Sequence, residues 1–430
     1  VTTLVPPAEV LEIAQELERA GFEAWAVGGA VRDALLGHPH LDWDLATSAR
    51  PEQVRRLFQR TVPIGIEHGT IGVLDRHGRM HEVTTFRRDV KTDGRHAEVE
   101  FGVSLDDDLA RRDFTINAMA WSPSRDELRD PFGGQRDLAA GLLRAVGDPE
   151  ARMREDRLRA LRAIRFASRF GFAIDPATWN AVEASARDLK RLSAERVRQE
   201  LEKTLEQVER PSLAFARWRQ AGIAAAVVPA LDEVSELALL ALDRLPRPGL
   251  AGRPQRKLTR LAALFAELGR ARATATLKAL RASNSDTAWV ADLAERWGAL
   301  GAPMATALLA GRADAATERR WVAAAGRLRV GALLRIAAAR WDAARALGQP
   351  APAGAAVRAL HRRLLRHAFG GVVELADLAV DGGDLIAAGV KPGPQLGATL
   401  QALLDWVLED PARNQVALLL DEARRRAGSA

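Results

Sequence analysis

Apolar and polar residues alternate in short runs through the first third of the chain. EAWAVGG (23–29), HLDWDLAT (40–47), GTIGVLD (69–75) and RMHEVTTFRR (79–88) carry the period of two, or the β-branched content, of strands. Between them, AEVLEIAQELERAG (8–21), AVRDALLG (30–37) and RPEQVRRLFQR (50–60) repeat at helical spacing. Thr47 or Ser48 stands where a cap for the last of these belongs. From about Pro149 the strand signals nearly vanish. Ala, Leu and Arg then recur at helical spacing, punctuated by Pro/Gly-rich stretches at 244–257 and 347–356. No fixed-period repeat is visible. The pattern predicts an α+β chain, a small mixed sheet followed by a long helical region. The expected divisions are a head over 1–145, a helical neck over 146–210, a helical body over 211–350 and a helical tail over 351–430.

Composition narrows the class. With 430 residues, 47% of them hydrophobic, the chain can fill several cores. Cysteine is absent, which excludes disulfides, thiolate zinc sites and cysteine nucleophiles and fits a reducing cytosol. No uncharged apolar run reaches membrane-spanning length. Glu9 and Glu12 interrupt any signal-peptide pattern. The expectation is a soluble cytoplasmic protein with no membrane partner. Only six of the 62 basic residues are lysine (91, 190, 203, 257, 278 and 391), and the arginine fork suits phosphates and base edges. Aromatic residues make up 5% and tyrosine is absent, which argues against a stacking platform for single strands.

The candidate chemistry begins at GGAVRDALLGHPHLDWDLAT (28–47). A strand ending at Val27, then Gly28 and Gly29, lets backbone approach a ligand closely. The helix that follows aims free N–H groups at an anion, and Arg32 in its first turn can add a fork. In a strand over 40–47, Leu41, Trp43 and Leu45 would face a core, and Asp42 and Asp44 would share the other face. Two adjacent carboxylates are most comfortable with a cation between them, and hard oxygen donors suit Mg²⁺ carrying a nucleoside triphosphate.

The stretch resembles the first signature of the DNA polymerase β superfamily of nucleotidyltransferases. It is most similar to the bacterial class II branch, which holds tRNA CCA-adding enzymes and bacterial poly(A) polymerases. The resemblance implies that Gly28, Gly29 and Arg32 hold the triphosphate and that Asp42 and Asp44 are the catalytic carboxylates and metal ligands, with Mg²⁺ as cofactor. Glu82, in HEVTTF, is a candidate third carboxylate. LARRDFTINAMA (109–120) resembles the family motif that contacts the incoming sugar and phosphates. It carries Arg111, Arg112 and Asp113, with Asp113 expected to cap a helix and Asn117 one turn on. DPFGG (130–134) matches a further family motif and reads as a turn between head and neck.

REDRLRALRAIRFASRFGF (154–172) buries Leu158, Leu161 and Ile164 and sets Asp156 and Arg159 three residues apart on another helix face. This string resembles the EDxxR motif of the family. Cytosine and adenine each offer an amino donor beside a ring-nitrogen acceptor, whereas uracil and guanine offer the reverse. Aspartate only accepts and arginine only donates, so a fixed Asp/Arg pair accepts C and A and mismatches U and G. Each mispaired buried group costs about 1–3 kcal/mol. The resemblance adds Arg162 and Arg165 as nucleotide contacts. Arg165 falls roughly opposite Asp156 on a regular helix. RLSAERVRQELEKTL (191–205), with an imperfect capping box at Ser193, resembles the next motif and receives no chemistry.

Three features favour tRNA over poly(A) chemistry. The segment 61–74 is similar to the tRNA-enzyme version, no long basic C-terminal tail is present, and 378–410 resembles the tail that grips the tRNA elbow. The implied activity is addition of CCA to tRNA from CTP and ATP. The alternatives are CC-only or A-only addition, poly(A) polymerisation, or RNA binding on a degenerate head. The segment 87–110, where the family controls the choice among CCA, CC and A, is slightly shorter than usual.

Overall fold

The computed structural model describes residues 4–38, 43–92, 97–246, 254–311 and 313–428. It contains two compact units, one formed by Val1–Glu200 with Ala216–Val228 and the other by Leu201–Phe215 with Pro229–Ala430.

The first unit is built on a sheet of seven strands: β1 (Ala24–Val27), β2 (Leu45–Thr47), β3 (Thr61–Gly65), β4 (Thr70–Leu74), β5 (Met80–Thr85), then β8 (Ala120–Ser122) and β9 (Glu127–Arg129), in the order β3-β4-β5-β2-β1-β8-β9. Its pairs are antiparallel except β2 with β5, which run parallel. A separate antiparallel hairpin, β6 (Arg87–Thr92) and β7 (Ala97–Phe101), falls within the segment 87–110. Its tip, 93–96, lies outside the described residues.

Helices α1 (Ala8–Arg19), α2 (Gly29–Leu35) and α3 (Pro51–Leu57) pack on β1, β4 and β5. Helix α4 (Leu105–Ala110) drives Leu105 and Leu109 against Trp25, Val27, Ala46 and Ala120. Each such buried leucine contributes about 1.5–3 kcal/mol. The first three helices lie close to their expected positions, but the cap differs. Thr47 Oγ1 donates to the Glu23 carbonyl and Ser48 Oγ accepts from the Glu23 N–H, so both tie β2 to the start of β1, and Arg50 is the residue before α3. Of the strand expected over 40–47, Leu45–Thr47 form β2 and Asp44 just before it accepts from the Val27 N–H of β1, while 40–42 lie outside the described residues. Strand β3 escapes the alternation rule because it is an edge strand bearing Pro63 and exposed on both faces.

After the sheet come α5 (Gly134–Ala139), α6 (Pro149–Glu155), α7 (Leu158–Phe170), α8 (Pro176–Ser185) and α9 (Ala194–Gln207). Asp130 receives the Gly134 and Gln135 N–H groups, which fixes the DPFGG turn. Asp148 and Asp175 cap α6 and α8, and Gly171, in the left-handed region at φ 71°, ends α7. Two residues on each side of α7, β10 (Leu142–Leu143) and β11 (Ala173–Ile174), pair in parallel.

Among the described residues the second unit is helical throughout. Its largest members are Asn284–Ala310, Arg327–Ala346, Gly354–Gly370 and Pro394–Glu409. Arg260, 1% exposed, donates to the carbonyls of Leu205, Val208 and Leu245. Three carbonyls on its two terminal nitrogens make this buried cation tolerable. No described helix is long and apolar enough to cross a membrane.

Candidate active site

Gly28 ends β1 with φ 70°, a left-handed conformation that favours glycine, and a Cβ there would stand 2.8 Å from the Arg112 guanidinium. The turn and the RRD motif are therefore in direct contact. Arg32 behaves differently from the expected phosphate fork. Its side chain is buried at 3% exposure, bonded to Asp33 Oδ1 at 2.7 Å and Asn117 Oδ1 at 2.5 Å. It also lies over the rings of Phe166 and Phe170. Burial lowers its pKa, and Asp33 resists that shift. Asp33 in turn accepts from Arg169, so the end of α7 is tied to α2. Arg32 thus joins the glycine turn to α7, the helix that bears Arg159.

Asp44 precedes β2 and is exposed, while its neighbours Trp43 and Leu45 are 4% and 0% exposed. This is the predicted alternation. Asp42 and Leu41 lie outside the described residues. In the parallel register Leu45 stands beside Val83, and the same register carried one residue back brings Asp44 level with Glu82. Leu45 and Val83 are both buried, and Asp44 and Glu82 are both exposed, which sets the two carboxylates on one open face. Their oxygens are the hard donors a divalent cation takes. Among the described residues alone, no group of three His, Asp or Glu side chains is arranged to hold a metal.

Asp108, 1% exposed in α4, clamps the two motif arginines. It accepts from Arg111 Nε at 2.9 Å and from Arg112 Nη2 at 3.2 Å. Burial alone would raise its pKa, but Arg112 and Arg111 hold it low. Asp113 is not a helix cap. Only a single 3-10 turn, Thr115–Asn117, follows it, because the chain passes directly into β8. Its carboxylate points inward, accepting from the Phe114 N–H, from Asn117 Nδ2 and from Arg162. Burial opposes its charge, yet Arg162 and Asn117 hold its pKa down to about 2. Burial likewise opposes the charge on Arg162, but Asp113 and Glu200 outweigh it, and the Arg162 pKa is raised.

The EDxxR motif also departs from a regular helix. Asp156 is extended, at φ −142°, and ends α6, and α7 begins only at Leu158. The expected neighbouring pair on one helix face is therefore absent. Asp156 accepts from Arg196 Nη2 at 3.0 and 2.8 Å and from the Leu158 N–H. Arg159 donates to Glu155 at 2.8 Å and to the carbonyls of Arg152 and Arg111. Asp156 and Arg159 are each held by their own anchor, and these bonds leave part of the five-donor Arg159 fork unused. Arg165, 3% exposed, is locked to Glu200 at 2.6 Å, and burial lowers its pKa against the pull of Glu200. It is a buried strut, consistent with its place on the far side of α7.

Sequence reasoning missed Asp33, Asp108, Arg196 and Glu200. Asp108 was within reach, three and four residues before Arg111 and Arg112 in a helical segment. Arg196 and Glu200 lie 35 residues or more from their partners, and no local spacing reports such a pairing.

Three family models match the chain: a poly(A) polymerase head domain over residues 24–144, a probable RNA- and SrmB-binding site of polymerase A over 171–234, and a putative second domain of tRNA nucleotidyltransferases over 363–423. The CCA-adding enzyme of Latilactobacillus sakei is 46% identical over 49% of this chain, and the alignment spans about half, 53%, of that relative. The CCA-adding enzyme of Lacticaseibacillus paracasei is 35% identical over 95% of this chain and 94% of its own length. Among solved structures, the Bacillus stearothermophilus CCA-adding enzyme in complex with CTP superposes with a TM-score of 0.79 at 32% identity, covering 99% of this chain and all of that one. With a mixed-sheet head, a helical remainder and near full-length similarity, the chain belongs to the bacterial class II CCA-adding enzymes, nucleotidyltransferases that share the poly(A) polymerase head.

Proposed function

We propose that this chain builds the CCA end of tRNA from CTP and ATP in the cytoplasm, using Mg²⁺ held by Asp42 and Asp44 with Glu82 as a third carboxylate. The observation that carries the reading is the open face of β2 and β5, where Asp44 and Glu82 stand side by side one strand from the glycine turn of β1. Mg²⁺ bound there supplies charge neutralisation for the triphosphate and acidifies the attacking 3′-hydroxyl. Gly28 and Gly29 let the phosphates approach backbone, and Asp108 presents Arg111 and Arg112 to them. Asp156, steadied by Arg196, accepts from the base amino group, and Arg159, steadied by Glu155, donates to the ring nitrogen. Arg162, held by Asp113, completes the nucleotide pocket, while Arg32 and Arg165 act as supports. In this reading residues 1–145 perform the chemistry and 146–210 choose the base, while 211–350 and 351–430 bind tRNA by shape and phosphate contacts.

The test uses tRNA ending before CC, after CC and complete, each with labelled CTP and ATP. Two C additions followed by one A on the first, one A on the second and none on the third are expected. A long homopolymer from ATP alone would instead mark a poly(A) polymerase, and addition stopping at CC or confined to A would mark a partial enzyme. For base choice, Asp156→Ala should admit UTP at a rate closer to that of CTP, and unchanged discrimination would remove Asp156 from the reader.

A further inference from the structure

Helix Gly354–Gly370 divides its surface in three. Val357, Leu360, Leu364 and Ala368 form the buried face. Arg363 and His367 flank it and both meet Glu318, at 2.7 and 3.4 Å. Arg358, Arg362 and Arg366 occupy the remaining face, four residues apart and all exposed. Among the described residues none of these three has a carboxylate partner. That is unusual for this unit, where exposed arginines such as Arg270, Arg272 and Arg320 find acids. A step of four residues advances about 6 Å and turns about 40°, so the three forks follow a gently winding line about 12 Å long.

The line begins at a second basic feature. A cavity of about 300 Å³ is bordered by Arg244, Arg335, Asp342, Arg345, Arg358 and His361. The one carboxylate in that set, Asp342, is already shared by Arg244 at 2.8 Å and Arg345 at 2.7 Å. The guanidinium groups of Arg345 and Arg358 converge within 3.8 and 3.4 Å of the point where a Cβ on Gly354 would stand. Arg335 is exposed, and burial together with the Arg335 charge lowers the pKa of His361. Four arginines against one aspartate leave a local surplus of three positive charges.

Like charges held together at a surface repel one another, and a polyanion relieves that repulsion while releasing its own counterions. The arginine fork is the donor geometry suited to phosphate oxygens. We propose that Arg358, Arg362 and Arg366, with Arg335 beside the start of the line, form a track for the sugar–phosphate backbone of the tRNA substrate. The proposal rests on the reading that tRNA is the substrate, and assigns the contact to one face of one helix. A merely solvated basic face would leave tRNA binding unaltered.

The test is the full chain carrying Arg358→Gln, Arg362→Gln and Arg366→Gln, since glutamine keeps the helix propensity of arginine. The affinity for tRNA is measured across a KCl series. The slope of log K against log salt should shrink by about 2–3, at roughly 0.7–0.9 for each phosphate that is no longer neutralised. The KM for tRNA should rise at least tenfold, while the KM for CTP stays as in the parent. Arg335→Gln, on a different helix, should shrink the slope by about one. An unaltered slope and an unaltered KM for tRNA would overturn the track. The parent enzyme separates the two claims. If it extends tRNA while the triple variant binds tRNA with the parent's salt slope, the track alone falls. If the parent extends no tRNA, the functional reading falls, and the track with it.

Discussion

The open face of β2 and β5 and the ion-pair network around α7 both belong to the first unit, and their side chains are held in opposite ways. On the sheet, Asp44 and Glu82 are exposed and stand beside each other as like charges. Behind it, Asp113, Arg162, Arg165 and Glu200 are interlocked as opposite charges, with Asp113 8% and Glu200 1% exposed. Buried pairs of this kind fix geometry more than they add stability. Exposed like charges do the reverse, lowering local stability, and their oxygens are of the kind a divalent cation takes. Under the proposed function, chemistry and positioning are divided between these two regions, and the residue types alone do not separate them.

The sharpest way to break this contrast is at the sheet. Asp44→Ala should lower nucleotide incorporation by about 10³-fold or more, about 4 kcal/mol in the transition state. Unfolding by urea should move by less than about 1 kcal/mol, because the site is exposed. A variant that retains incorporation would remove Asp44 from the chemistry.

The opposite outcome is expected in the network. Arg165→Ala removes the guanidinium bonded to the buried Glu200 and should cost about 3–5 kcal/mol of stability by urea titration, with base selectivity intact. Adding Glu200→Leu to Arg165→Met should recover most of the loss. If the single variant were as stable as the parent, the strut would be an incidental contact.

A smaller effect follows from acid. The pKa of Asp113 is depressed to about 2 in the folded chain. Its ordinary value is near 3.9, so the stabilisation is present in full above about pH 4 and is lost as pH falls through about 2. Its size is on the order of 2 kcal/mol. Comparing Asp113→Asn with the parent at pH 6 and pH 3 should show a difference that narrows toward acid. A constant gap would mean that the fold does not depress the pKa of this carboxylate.

The smallest change joins the two regions. Arg196→Ala frees Asp156 without touching Asp44 or Glu82 and should lower the preference for CTP over UTP about tenfold, close to 1.4 kcal/mol. Both partners are about a third exposed, so the effect on stability should stay below about 1 kcal/mol. Partial rescue of selectivity by Arg196→Lys would mark a positioning role, and unchanged selectivity would refute it.

Much of the site was legible because it is local. The alternation Trp43, Asp44, Leu45 correctly assigned which side chain faces out, and the glycine pair after a strand marked a turn that only small residues allow. Asp113 was misjudged because a single short-range rule, aspartate before an apolar run, cannot distinguish a helix start from a 3-10 turn leading into a strand. The helix face expected for Asp156 and Arg159 was lost because the chain breaks between α6 and α7.

The sequence by itself determined the class of fold, the family and the kinds of side chain at each motif, since hydrophobic period, glycine placement and motif order are all properties of nearest neighbours in the chain. The tertiary structure alone decided which charges face ligand and which face one another. Arg32, Arg162 and Arg165 look equivalent in a string of letters, yet the fold gives each its own distant acceptor: Asn117 for Arg32, which also bonds its neighbour Asp33, Asp113 for Arg162, and Glu200 for Arg165. Burial makes that assignment binding, because a desolvated charge must be met where it lies, whereas Arg358, Arg362 and Arg366 remain in water and keep their forks available.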